Sequence, residues 1–107
     1  MDFSDPAREC AEAISSGLNV LYEIAHGPRK PTGDSSPKAE WLETLEGLAA
    51  ALERTRAGVI VTDSPASLDQ IAAVREVATL VTEWLKTEQR PEEVGRKAGA
   101  LYEALIA

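Results

Sequence analysis

The chain has 107 residues, 44% hydrophobic but only 5% aromatic, with 18 acidic residues against 11 Lys and Arg for a formal charge of −7. That length suits one domain, residues 1–107, whose core needs neither disulfide nor structural metal, and the charge disfavours direct contact with nucleic acid or an anionic membrane. Cys10 is the only cysteine, which excludes an internal disulfide and suits a reducing compartment.

Met1-Asp2-Phe3-Ser4-Asp5 is acidic where an export signal is basic. Apolar runs fall far short of the roughly 20 residues that span a bilayer. The expected location is the cytoplasm.

Proline punctuates the chain, because its fixed φ and missing N–H suit the first turn of a helix and damage an interior. Asp5-Pro6, Ser36-Pro37 and Ser64-Pro65 each place an N-cap oxygen before proline, while Arg90-Pro91 lacks a good cap. Ser67 with Gln70 forms a competing capping box that would start the third helix about one turn later.

The first helix is expected over about 6–26, with Ala7, Cys10, Ile14, Leu18, Leu21 and Ala25 as its apolar stripe. Ser15-Ser16-Gly17 is a point for a bend, and Gly27-Pro28 ends the helix. A turn-rich connection follows, over about 27–36.

The second helix, about 37–57, repeats Trp41, Leu45, Leu48 and Leu52, widened by Leu42 and Ala49, with Gly58 as C-terminal cap. Val59-Ile60-Val61-Thr62 is β-branched and is expected to cross the bundle end as an extended, partly buried segment, a short strand being the alternative. The third helix, about 65–87, uses Leu68, Ile71, Val74, Ala78, Val81 and Leu85, with Val77 and Trp84 as a second line, and is expected to be the most buried.

The fourth helix, about 91–106, places Val94, Ala98, Leu101 and Leu105 inward and pairs Glu92 with Arg96 and Glu93 with Lys97 at i,i+4. Gly95 and Gly99 weaken a helix, so their expected use is close approach of a neighbour. The fold class is all-α, a four-helix bundle running up, down, up and down.

Catalytic and metal signatures are not found. One His and one Cys cannot build the usual zinc sites, Glu-x-x-His pairs for a di-iron bundle do not occur, and phosphate loop, nucleophile elbow and Rossmann fingerprint are missing. Glu40, Glu43 and Glu46 suit a solvated face better than a carboxylate metal site, because three-residue steps wrap around the helix. No cofactor is expected.

Cys10 sits on the apolar stripe and reads as a packing residue. His26, in Ile24-Ala25-His26-Gly27-Pro28, lies at a helix terminus, where the dipole favours it. It lacks the mid-helix setting, followed by Lys and Gly, of histidine-phosphotransfer domains. Trp41 and Trp84 are not followed by the Trp-x-Gly turn of secreted helical-hairpin proteins.

Function is therefore expected on outer surfaces. One pole would gather His26, Arg29, Lys30, Lys38, Trp41, Trp84, Lys86 and Arg90, either as a binding hot spot or, more simply, as two tryptophans closing the core beneath basic loops. The outer side of the second helix carries Glu40, Glu43, Glu46 and Glu53 with no Lys or Arg four residues later. Val20, Ile24, Leu80 and Ile106 widen the apolar faces, which a homodimer and a broad inward face in a monomer explain equally well.

The expected function is a non-enzymatic interaction protein, an adaptor, regulator or inhibitor. Its partner-binding residues are Glu40, Glu43, Glu46 and Glu53 on the acidic face and Arg29, Lys30 and Lys38 in the loop. The partner is another protein with a basic or neutral surface, including one that normally holds nucleic acid, as for phage-encoded inhibitors that act through acidic helical surfaces. The alternatives are a small phosphocarrier or enzyme with a dimer-formed site, and a structural subunit of a larger assembly.

Overall fold

Helices α1 (Pro6–His26), α2 (Glu40–Ala57), α3 (Leu68–Thr87) and α4 (Glu92–Ile106) follow one another in the computed structural model, which describes residues 6–26, 39–60 and 65–106. Asp5, the Gly27-Pro28 stop, the 27–36 connection with Ser36-Pro37, Val61-Thr62 and Ser64 lie outside the described residues. Among the described residues there is no strand.

The start of α3 is decided by Ser67. Its hydroxyl accepts from the Gln70 N–H at 3.1 Å while Gln70 Oε1 accepts from the Ser67 N–H at 2.9 Å, so two N-terminal donors are satisfied reciprocally. Pro65 and Ala66 stay outside the helix. At the other end Glu88 adopts the left-handed conformation at φ 60° and returns its N–H to Trp84 O, closing the helix as glycine usually does.

Gly58, at φ 80°, caps α2. The N–H groups of Val59 and Ile60 both turn back to Arg54 O, at 3.0 and 3.3 Å, and Val59 is exposed. Of the segment expected to cross the bundle end, Val59 is thus exposed and turned back on the helix by the Arg54 carbonyl, while Ile60 is half-buried.

Each helix packs against its neighbours in sequence, and α1 also packs against α4, while the backbones of the diagonal pairs α1/α3 and α2/α4 stay apart. The directions alternate. Cys10 near the start of α1 meets Ala51 late in α2, Trp41 at the start of α2 meets Trp84 at the end of α3, and Arg90 before α4 meets Ile24 near the end of α1. The chain is an up-down-up-down four-helix bundle, and Leu21, Ile24, Leu45, Leu48, Val74, Val77, Val81 and Val94 are fully buried at its centre.

One glycine contact sets a helix spacing. A Cβ at Gly17 would fall 2.7 to 2.9 Å from the Leu48 side chain, so the helix runs unbroken through Ser15-Ser16-Gly17, and the glycine serves the α1–α2 approach rather than a bend. A Cβ at Gly99 would make ordinary contact, 3.5 Å from that of Ala25, so the α1–α4 approach does not require glycine there.

Burial shifts some stripes from their expected lines. A helix in a square bundle faces two neighbours at once, so its buried direction bisects them. In α1 that direction runs through Cys10, Gly17, Val20, Leu21 and Ile24, leaving Ala7 exposed and Ile14, Leu18 and Ala25 half-buried. In α3 it runs through Ile71, Val74, Val77, Val81 and Trp84, and Leu68, at the first helical position, is 62% exposed.

The most buried helix is α2 rather than α3, with seven buried residues against five. On α4 the i,i+4 pairs give way to Glu93–Arg96 at 3.3 Å and to Lys97–Glu76 at 2.7 Å, which ties α4 to α3.

Candidate functional site

The interior offers little chemistry. Thr55 is the buried polar residue among those described. Its hydroxyl donates to Leu52 O at 2.8 Å and accepts from the Ala66 N–H at 3.1 Å, fastening the approach to α3 onto the end of α2. Cys10 is buried with its thiol 3.5 Å from Ala51 O. Among the described residues no three His, Cys, Asp or Glu side chains converge as metal ligands, and no helix is long and apolar enough to cross a membrane.

At one pole Trp41 and Trp84 lie 6.0 Å apart between ring centroids, tilted by 56°, and both are buried. The Arg90 guanidinium sits 5.2 Å from the centre of the Trp84 ring and donates to Ile24 O at 2.7 Å. The tryptophans therefore close the core, and Arg90 latches α1 over them. His26 is exposed, 4.8 Å from the Tyr22 ring, which meets Tyr102 edge-on at 5.8 Å. Arg29, Lys30 and Lys38 lie outside the described residues.

The four glutamates of α2 do not share one patch. Each three-residue step falls about 60° short of a full turn, so the row drifts across the helix. Glu40 lines a shallow cavity of about 360 Å³ against α1, beside Asn19 and Glu23. Glu43 is exposed on the outside. Glu46 and Glu53 flank a groove of about 530 Å³ on the opposite side, against α3, whose apolar lining includes Leu42, Ala49, Ala50 and Ala78.

Glu53 is paired. Both of its carboxylate oxygens accept from Arg75 Nη2 at 2.9 Å, which bridges α2 to α3. Beyond this bridge the groove continues as a second cavity of about 610 Å³, lined by Arg56, Ala57, Leu68, Ile71 and Ala72. Glu40, Glu43 and Glu46 form no ion pair with another described residue.

Arg75 and Leu68 belong to this surface and were not singled out for it from the sequence. The available signal for Arg75 was that α3 offers it no acidic residue three or four positions away. Leu68 carried no signal, since its spacing matches the inward stripe.

Comparison with known protein families, curated proteins and solved structures finds no match. The surface itself is what bears on function.

Proposed function

We propose that this chain is a non-enzymatic interaction module, an adaptor, regulator or inhibitor acting in the cytoplasm, that presents the outer side of α2 to a basic surface of another protein. The observation that carries this reading is the difference among the glutamates. Glu43 and Glu46 are exposed without an ion pair among the described residues, whereas Glu53 is held by Arg75. Exposed carboxylates, one of them at an open groove, favour a cationic partner, because such charges steer encounter and repel acidic competitors.

Support also comes from the interior. Cys10 and Thr55 have packing partners there, which leaves the outer faces as the place for recognition. Self-association loses part of its motive, since Val20 and Ile24 are buried within one chain. Glu40, turned toward α1, contributes less to this surface than Glu43 and Glu46.

The test is purification of the tagged chain from its native cells, as wild type and as the Glu43→Lys/Glu46→Lys double variant, followed by mass measurement of the complex. The double variant is expected to lose its partner while keeping its helical content. Retention of every partner by a folded double variant would overturn the reading.

A further inference from the structure

We propose that the groove between α2 and α3 seats a single amphipathic helix of the partner, basic at the end that lies toward the tryptophan pole. This rests on the interaction reading above and gives it a shape. The groove runs from Leu42 to Ala57 along α2, a length of about 22 Å, or some four helical turns, at 1.5 Å per residue. Alanines line both of its halves, so large apolar side chains from an incoming helix have room to enter between the ridges of α2 and α3.

Charge sets the polarity of the occupant. Toward the tryptophan pole Glu46 lines the groove, with Glu43 exposed one turn away on the outside of α2, and neither has an ion pair among the described residues; at mid-groove Glu53 and Arg75 neutralise each other, and at the far end Arg56 lines the cavity with the exposed Leu68. A helix with Lys or Arg at the first end, a small residue over the Glu53–Arg75 bridge and a large apolar residue on Leu68 matches all three.

A second copy of this chain does not match. Two grooves brought face to face meet at their rims, and filling a groove needs an apolar ridge. Among the described residues the exposed large apolar side chains are Val59, Leu68 and Ile106. They lie at helix ends on the pole opposite the tryptophans and form no such ridge.

The probe is a synthetic peptide of about four helical turns built from Ala, Leu and Lys, with Leu at i, i+4, i+7 and i+11 and Lys confined to its last two turns. Its control replaces Lys by Glu. NMR titration of the full chain is expected to show saturable binding of the Lys peptide, with amide shifts along α2 and α3, and no binding of the Glu peptide. Ala50→Phe or Ala72→Phe, each filling one half of the groove from an exposed position, should weaken binding at least about tenfold, as should Glu43→Lys/Glu46→Lys.

No saturable binding, shifts centred elsewhere, or full affinity in both folded Phe variants would overturn the proposal. So would concentration-dependent shifts along α2 and α3 without peptide at the mass of a dimer, which would give the groove to a second copy. If the native partner is lost on charge reversal yet kept by both Phe variants, the interaction reading stands and the groove is excluded as its seat.

Discussion

Gly17 of α1 abuts Leu48 of α2 so closely that a Cβ at position 17 would lie 2.7 Å from Leu48 Cδ2 and 2.8 Å from its Cβ. Leu48 is fully buried and has no free direction in which to yield. Gly17→Ala therefore combines a helix-propensity gain of roughly 1 kcal/mol with an overpacking cost of about 1–3 kcal/mol, and a net loss of about 1 kcal/mol is expected in urea denaturation. Gly47→Ala, with no atom within 4 Å of its new Cβ, supplies the contrast and should stabilise by up to about 1 kcal/mol.

Thr55 joins two segments through one hydroxyl. Thr55→Val keeps the shape and removes the acceptor for the buried Ala66 N–H, which should cost about 1–3 kcal/mol in the same measurement. Thr55→Ser retains the hydroxyl and should lose less. Equal losses in the two variants would mean that packing of the methyl, not the hydrogen bond, is the larger effect.

The Ser67–Gln70 capping box sets where α3 begins. Ser67→Ala should cost about 1 kcal/mol and loosen the first turn of α3, visible as faster amide exchange at Gln70. A variant with unchanged exchange at that amide would show that the first turn is held by packing instead.

Arg90 combines a hydrogen bond to a carbonyl near the end of α1 with a position over Trp84. Arg90→Ala should destabilise by about 1–2 kcal/mol and shift tryptophan emission toward that of a wetter environment. Arg90→Lys should recover only part of the stability, because an ammonium cannot reproduce the planar guanidinium over the ring. Full recovery by lysine would reduce the role of Arg90 to its charge.

Helix number, order and most boundaries were legible because they depend on local chemistry: proline, caps and a period near 3.6. The rotation of each helix was less so. Leu68 keeps a three-residue spacing to Ile71, yet it lines the groove beside Ala72 and Arg75 while Ala66, two residues earlier, is in the core, so its exposure follows from how α3 is rotated against its neighbours. Val77 and Trp84 became central for the same kind of reason, since two neighbours rather than one decide which side of α3 is covered.

The acidic row on α2 shows where the sequence stops being informative about the site. Four glutamates with no cation four residues on look equivalent in one dimension. Glu53 differs only because Arg75 reaches it from α3, and that depends on how the two helices are turned toward each other. Glu40 differs because a 60° drift per step carries it to the α1 side.

The ring of four seams also orders the assembly of the chain. Three seams join helices that follow each other directly, and the connection is shortest between α3 and α4, residues 88–91. The fourth joins α1 to α4 and brings Arg90 to a carbonyl 66 positions earlier. Loop-closure entropy falls most heavily on that last seam and least on the α3–α4 hairpin, so α3 and α4 are placed to pair early, and docking of the two outer helices on each other is expected to set the folding rate.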